Sequence, residues 1–176
     1  METLQAINKR SSYRGNFADK EVSREQLKTI VQAGIQAPSG CNAQTTGFVI
    51  VDDKDIIKQI ASLCQKDFVY GAPAIIVCVI DHTPAFMDIS FAAEDCAAAV
   101  ENMLLAITDA GLATVWLDGI LRRDNVAKQI GDLLSIPAER DVFIILPIGE
   151  PTETPIPKEK CTFEQRASFN KWENQK

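Results

Sequence analysis

The run AIIVCVI at residues 74–80 consists of seven apolar side chains in succession. A strand with one face in water alternates apolar and polar residues, whereas a strand covered on both faces is apolar throughout. We therefore predict that residues 74–80 form a central strand of a sheet, with other elements packed on each face.

Three further segments predict strands. They are TTGFVIVDD (45–53), ATVWL (113–117) and DVFIILPIG (141–149). Between and around them, helices are expected up to Asn8, after a capping box of Ser23 and Gln26, over residues 56–63, from Asp88 or Ser90 to Gly111, and from Asn125 to Leu134. Helices and strands interleaved in this way predict a layered mixture of the two.

A chain of 176 residues fits one domain. We place this domain at residues 1–150, because the composition then changes abruptly to the proline-rich stretch PTETPIPKEK. Residues 151–176 are expected to form an extended arm, since proline disfavours a helix interior. A disordered tail is the alternative. The apolar side chains of Phe163, Phe169 and Trp172 favour an arm that docks onto another surface.

The longest predicted helix carries six alanines between Ala92 and Ala106, with Cys96 among them. Small side chains allow a second helix to approach closely, and this segment has no clear polar face. Alanine also favours helix intrinsically, so the pattern equally suits a helix buried in its own core. The small size of the domain favours a subunit interface, and we expect a homodimer.

The composition excludes several classes of protein. With 18 basic and 24 acidic residues the net charge is -6, which disfavours binding to nucleic acid or to an anionic membrane. No apolar run reaches the roughly 20 residues needed to cross a bilayer, and the segment METLQAINKR lacks the apolar core of a signal peptide. Five cysteines without a CxxC pair indicate reduced thiols. We expect a cytoplasmic protein.

Common catalytic and metal motifs are missing from the sequence. It contains no GxGxxG or Walker motif, and its single histidine, His82, has no nucleophile elbow to accompany it. One histidine and no paired ligand spacing also predict that no structural zinc is bound. No catalytic side chain is therefore assigned.

The first candidate binding segment is KRSSYR. Three cations, Lys9, Arg10 and Arg14, flank the hydroxyl groups of Ser11 and Ser12. Arginine presents a planar fork of donors to phosphate oxygens, and serine adds neutral donors. An anion site and a solvated charged loop both remain open from these residues alone.

The second candidate segment is APSGCNAQ. After Pro38 and Ser39, the amides of Asn42 and Gln44 follow closely. Amides donate and accept hydrogen bonds, which suits the edge of a heterocycle that alternates carbonyl and NH groups. An ordinary turn between a helix and a strand is the alternative.

Two shorter segments complete the set. The strand within GLATVWLDG ends at Asp118 and Gly119, and glycine would let a flat ring approach the backbone closely. On the arm, Lys158 and Lys160 add two positive charges.

The segments KRSSYR, PSGCNAQ and GLATVWLDG, in this order, resemble those of the nitroreductase-like family of FMN-dependent oxidoreductases. The resemblance covers nearly the whole chain. It implies an α+β fold with a mixed central sheet flanked by helices. It also implies a homodimer with FMN at the interface, to which both chains contribute, and C-terminal arms exchanged between subunits.

The resemblance indicates a set of cofactor-binding residues. They are Arg10, Ser11, Ser12, Arg14, Pro38, Ser39, Asn42, Gln44, Asp118, Gly119, Lys158 and Lys160. By the same resemblance, the first loop and the arm lysines hold the phosphate, Arg14 lies near the flavin pyrimidine, and residues 38–44 reach the ring from the partner chain. Asp118 and Gly119 match the strand end beside the nitrogen that accepts hydride.

The resemblance also implies an activity. NADH or NADPH would deliver hydride to bound FMN, and a small oxidised acceptor such as a nitroaromatic compound or a quinone would then receive it by a ping-pong mechanism. The cofactor carries this chemistry, so no protein acid or base is required. Two alternatives stay open: reductive removal of a substituent or oxygen-dependent flavin chemistry, and storage or sensing of flavin without turnover. The link from Asp81 to Asp88 is shorter than the corresponding segment of larger members, so their substrates cannot be assigned to this chain.

Overall fold

The structure is a computed structural model that describes residues 1–172. A four-stranded sheet lies at its centre, with the strand order β1–β2–β4–β3. The strands are β1 (Thr46–Val51), β2 (Ala74–Asp81), β3 (Ala113–Thr114) and β4 (Arg140–Gly149). The α+β class is confirmed, and each of the four predicted segments contains a strand.

The sheet differs from the mixed sheet that the resemblance implied, because all of its paired strands run antiparallel. Within residues 1–172, parallel pairing is found only as an isolated bridge between Ser12 and Thr114. The predicted strand ATVWL is also interrupted. Its backbone leaves β4 after Thr114 and rejoins it through a single bridge between Leu117 and Ile145.

Seven helices surround the sheet in the part of the chain that the structure describes. They are α1 (Thr3–Lys9), α2 (Arg24–Ile35), α3 (Lys54–Cys64), α4 (Asp67–Tyr70), α5 (Ala92–Asp109), α6 (Val126–Leu133) and α7 (Phe163–Arg166). The predicted capping box of α2 is confirmed, since the Gln26 backbone N–H donates to Ser23 Oγ and the Ser23 N–H donates to Gln26 Oε1. Such reciprocal bonds satisfy backbone donors that a helix start leaves free.

Helix α5 begins slightly later than Asp88 or Ser90. The chain first makes a tight turn in which Phe86 and Ile89 form a bridge and Asp88 has a left-handed backbone, φ 62°. Gly111 has φ 73° and ends the helix as predicted.

The central strand β2 is buried on both faces, as its apolar run predicts. Ile76 and Cys78 pack with α2 and α5 in one core, whereas Ile75 and Val77 pack with α3 and α6 in the other. Alternate side chains of a strand point to opposite faces, so two cores require an apolar residue at every position.

The alternative interpretation of the alanines, a helix buried in its own core, holds for one face of α5. Cys96, Val100 and Met103 are buried in the core, while Ala97 and Leu105 on the opposite face are only half-buried. One face therefore packs against the sheet and α2, and the other is only partly covered, by α1 near the C-terminal end of α5.

The arm is fixed at its root and open beyond it. The Thr152 N–H donates to the Asn16 carbonyl (3.1 Å), and Pro151 bridges to Phe17. Farther along, Ile156 and Trp172 are 81% and 77% exposed. The predicted docking of the arm onto a second surface stays a prediction.

Two further features bear on the functional class. Over residues 1–172 no helix combines the length and apolar character needed to cross a bilayer. The same residues contain no cluster of three or more His, Cys, Asp or Glu side chains that could hold a metal ion.

Candidate functional site

A cavity of about 300 Å³ is lined by residues from near the start of the chain and by the root of the arm. The loop after α1 contributes Lys9, Arg10 and Ser11, and the arm root contributes residues 151–155. The C-terminal end of α5 completes the wall, and we call this space the Arg10 cavity. The first loop and the arm root, residues 151–155, therefore meet in one wall, whereas the arm lysines of the prediction are not part of this lining.

Arg10 is held at the edge of this cavity by α5. Its side chain is 21% exposed, and its Nε lies 3.8 Å from Oε1 of Glu101, which is 51% exposed. An ion pair at this distance and exposure is weak. Arg10 can therefore exchange Glu101 for a phosphate at little cost.

The rest of the first loop is set by its backbone. The Tyr13 N–H donates to the Thr114 carbonyl (2.8 Å), and the buried Tyr13 ring occupies the space a side chain would need at Gly15. This arrangement leaves Ser12 and Arg14 exposed. Arg14 has no ion pair among the described residues, so its charge is available to an anionic group.

The second loop, residues 37–44, has a strained backbone around the 3₁₀ turn Gly40–Asn42. Cys41, Asn42 and Gln44 have φ of 50°, 58° and 53°. Left-handed geometry is unfavourable for most residues other than glycine, and clusters of it occur at functional sites. The Gln44 N–H donates to Ser39 Oγ (3.1 Å), which closes the turn.

A residue that the sequence analysis missed anchors this loop. Asp95 of α5 is 6% exposed, and it accepts hydrogen bonds from the Gly40 N–H (2.8 Å) and from Thr45 Oγ1 (2.9 Å). A carboxylate among alanines on the buried side of a helix was the available signal. Pro38, Ser39, Gln44 and Asp95 line a second cavity of about 160 Å³, which we call the loop cavity.

The two cavities lie against different halves of α5. Asp95 and Ala99 line the loop cavity, and Leu104 and Thr108 line the Arg10 cavity. A helix rises 1.5 Å per residue, so the midpoints of these two pairs are about 14 Å apart along the axis. The two sets of predicted residues are therefore not brought together in one pocket of a single chain.

The strand-end residues form a third location. Asp118 Oδ2 accepts a hydrogen bond from Arg122 (2.8 Å). An added Cβ at Gly119 would meet no heavy atom within 4 Å, so the fold of one chain does not require glycine there. Neither residue lines the Arg10 cavity or the loop cavity.

Lys158 and Lys160 lie on the exposed arm, beyond the residues that line the Arg10 cavity. Neither has an ion pair within residues 1–172. The single chain thus brings the arm root, but not the two lysines, to Arg10.

A larger cavity of about 610 Å³ lies elsewhere, between residues 17–24 and the segments around α3 and α4. It contains none of the predicted site residues. Its cations are largely neutralised, since Arg24 pairs with Asp52 and Lys20 with Glu150.

Comparisons with known proteins identify the family of this chain. The Nitroreductase family model matches residues 7–73 and 58–150. A protein of Archaeoglobus fulgidus, provisionally named an NADH dehydrogenase/NAD(P)H nitroreductase, is 32% identical over 175 residues, which are 96% of this chain and 94% of that protein. The chain therefore belongs to the nitroreductase family, and it is an oxidoreductase.

Solved structures share the fold. The crystal structure of a Parabacteroides distasonis protein with the same provisional name matches with a TM-score of 0.86 and 26% identity, covering 97% of this chain and 98% of that one. The NADPH:FMN oxidoreductase of Vibrio harveyi, solved in complex with NAD⁺, matches with a TM-score of 0.85 and 26% identity, covering 98% of this chain and 78% of that one.

Proposed function

We propose that the chain is an FMN-dependent oxidoreductase that takes hydride from NADH or NADPH and passes it to a small oxidised acceptor, such as a nitroaromatic compound or a quinone. The two half-reactions would alternate at one site. Two findings support this activity. The chain belongs to the nitroreductase family, and its Vibrio harveyi relative is named an NADPH:FMN oxidoreductase.

We propose further that the enzyme is a homodimer in which each site is shared. The observation that carries this proposal is the separation of the two cavities along α5, whose outer face is only partly covered, by α1. A two-fold axis that passes beside the middle of α5, between the two copies of the helix, would pair them antiparallel, since an isologous interface uses the same patch on both subunits. The loop cavity of one protomer would then face the Arg10 cavity of its partner.

The residues present fit FMN in both charge and donor type. The Arg10 cavity, at about 300 Å³, lies at the lower end of the range for ligand pockets, roughly 300–1,000 Å³. Arg10, Ser11 and Ser12 supply charged and neutral donors for a phosphate. Asn42 and Gln44 of the partner would supply amides for the ring edge.

The arm completes the proposed site. Its exposed apolar residues, Ile156, Phe163, Phe169 and Trp172, are unusual in water and suit a buried contact. If the arm crosses to the partner, Lys158 and Lys160 can reach a phosphate that the chain's own fold leaves distant.

Bound FMN would supply the hydride chemistry itself. The chain's own residues have three tasks. Arg14 would favour negative charge on the pyrimidine edge, Gly119 would leave room for a flat ring, and the loop would exclude water from one face. None of these tasks requires a side chain that donates or accepts a proton.

The visible absorption spectrum tests the proposal. Protein purified with excess FMN and then desalted should be yellow, retain one flavin per chain and sediment as a dimer. Anaerobic NADH or NADPH should bleach it, and a quinone or nitroaromatic compound should restore the colour. A folded dimer without flavin would refute the proposal. Retained flavin that neither nicotinamide bleaches would instead indicate storage or sensing.

A further inference from the structure

We infer that Asp95 is a positioning residue that holds residues 38–44 in the conformation that meets the flavin ring. This inference rests on the proposed function. It assigns a role to a buried carboxylate that does not itself contact the cofactor.

The geometry of the carboxylate carries the inference. Each oxygen has its own partner: Oδ1 accepts from the Gly40 N–H in the loop at 2.8 Å, and Oδ2 accepts from Oγ1 of Thr45, the residue after the loop, at 2.9 Å. The two hydrogen bonds fix Gly40 and Thr45, which lie on either side of the left-handed residues. A buried carboxylate is costly unless its oxygens are paired, so the loop and Asp95 stabilise each other's positions.

A close contact reinforces the same arrangement. The ring of Phe91, at the start of α5, lies so near Gly40 that an added Cβ would come within 2.3 Å of it. Two interactions therefore fix the Gly40 backbone against the first turn of α5. It packs closely against the Phe91 ring, and its N–H donates a hydrogen bond to Asp95. Negative charge is also favoured near a helix N-terminus.

The loop needs such an anchor because its own geometry is unfavourable. Cys41, Asn42 and Gln44 are all left-handed. Residues other than glycine remain in this region only when the surroundings determine them. Without the two bonds from Asp95, the loop should relax to more ordinary geometry and the amides of Asn42 and Gln44 should move.

Three substitutions separate geometry from charge. Asp95→Ala removes both acceptors, and Thr45→Val removes one donor while leaving the carboxylate in place. Asp95→Asn keeps the geometry, because its amide oxygen can accept from Gly40 and its NH₂ can donate to the Thr45 hydroxyl. Asp53→Ala is the matched control, because Asp53 also accepts two backbone hydrogen bonds, from Asp55 and Ile56 at the start of α3, away from the loop.

The first measurement uses the apoprotein. Hydrogen exchange of the Gly40 and Gln44 amides should become at least about tenfold faster in Asp95→Ala and stay near the wild-type rate in Asp95→Asn and Asp53→Ala. Unchanged exchange in both Asp95→Ala and Thr45→Val would overturn the inference.

The second measurement uses bound FMN. Asp95→Ala and Thr45→Val should raise the Kd for FMN by about tenfold and change the visible circular dichroism of the flavin. Asp95→Asn should match the wild-type protein in both measurements. Asp53→Ala should lower thermal stability without changing either. If wild-type protein binds FMN and the loop variants match it, the inference fails while the proposed function stands. If wild-type protein binds no FMN, the proposed function fails. If Asp95→Ala does not fold, Thr45→Val and Asp95→Asn decide the outcome.

Discussion

Replacing Arg10 with alanine removes a cation that the fold places in a cavity wall. A hydrogen bond to a charged group contributes roughly 1.5–3 kcal/mol. Binding a phosphate would first release Arg10 from Glu101, and that pair, 3.8 Å long and 21% and 51% exposed, contributes at most about 1 kcal/mol. The net loss on mutation is therefore about 0.5–3 kcal/mol, or roughly a 2- to 160-fold higher Kd for FMN.

The assay is a titration of apoprotein with FMN, followed by quenching of flavin fluorescence. Lys128→Ala is the matched control, since it also removes one positive charge, from a surface pair with Asp132 on α6, and it should leave the Kd unchanged. Glu101→Gln should lower the Kd by up to about fivefold, because it frees Arg10. If Arg10→Ala and Lys128→Ala bind FMN equally well, the phosphate role of Arg10 is refuted.

Three further outcomes are expected. Gly149→Ala should lower stability by roughly 1–3 kcal/mol in thermal unfolding, because its Cβ would lie 2.7 Å from the Phe17 ring; an unchanged Tm would contradict this packing. Burial raises the pKa of the Cys64 thiol to about 11, so the reactive thiolate is scarce at pH 8 and becomes common only near the raised pKa; native protein should leave Cys64 unmodified by iodoacetamide at pH 8, and denatured protein should not. The double variant Lys158→Ala/Lys160→Ala should bind FMN more weakly, and its Kd for FMN should depend less on salt concentration. An unaltered salt dependence would place the arm away from the phosphate.

The fold was largely predictable because its strongest signals are local. The apolar run 74–80 specifies a strand covered on both faces, and Ser23 with Gln26 specifies a helix start. Strand pairing is not local, so the antiparallel arrangement throughout and the break after Thr114 were not visible in the sequence.

The sequence indicated candidate segments for a site but not how they are arranged. The first loop and the arm root do meet around Arg10. The separation of Arg10 from residues 38–44 depends on where the loops after α1 and α2 pack along α5, which no motif encodes. Asp95 was missed for a related reason, since its partner Gly40 is 55 residues away in the chain.

The most direct test of the shared site is complementation between two variants that each bind FMN more weakly than the wild type. Arg10→Ala disables one half, and Gly40→Val disables the other by forcing a side chain into Phe91. Each homodimer should fail to bind FMN with wild-type affinity. In a purified heterodimer, one site combines both changes and the other combines none, so the shared-site account predicts a single FMN bound with wild-type affinity. A heterodimer without any wild-type site would contradict it, because each site would then be built within one chain.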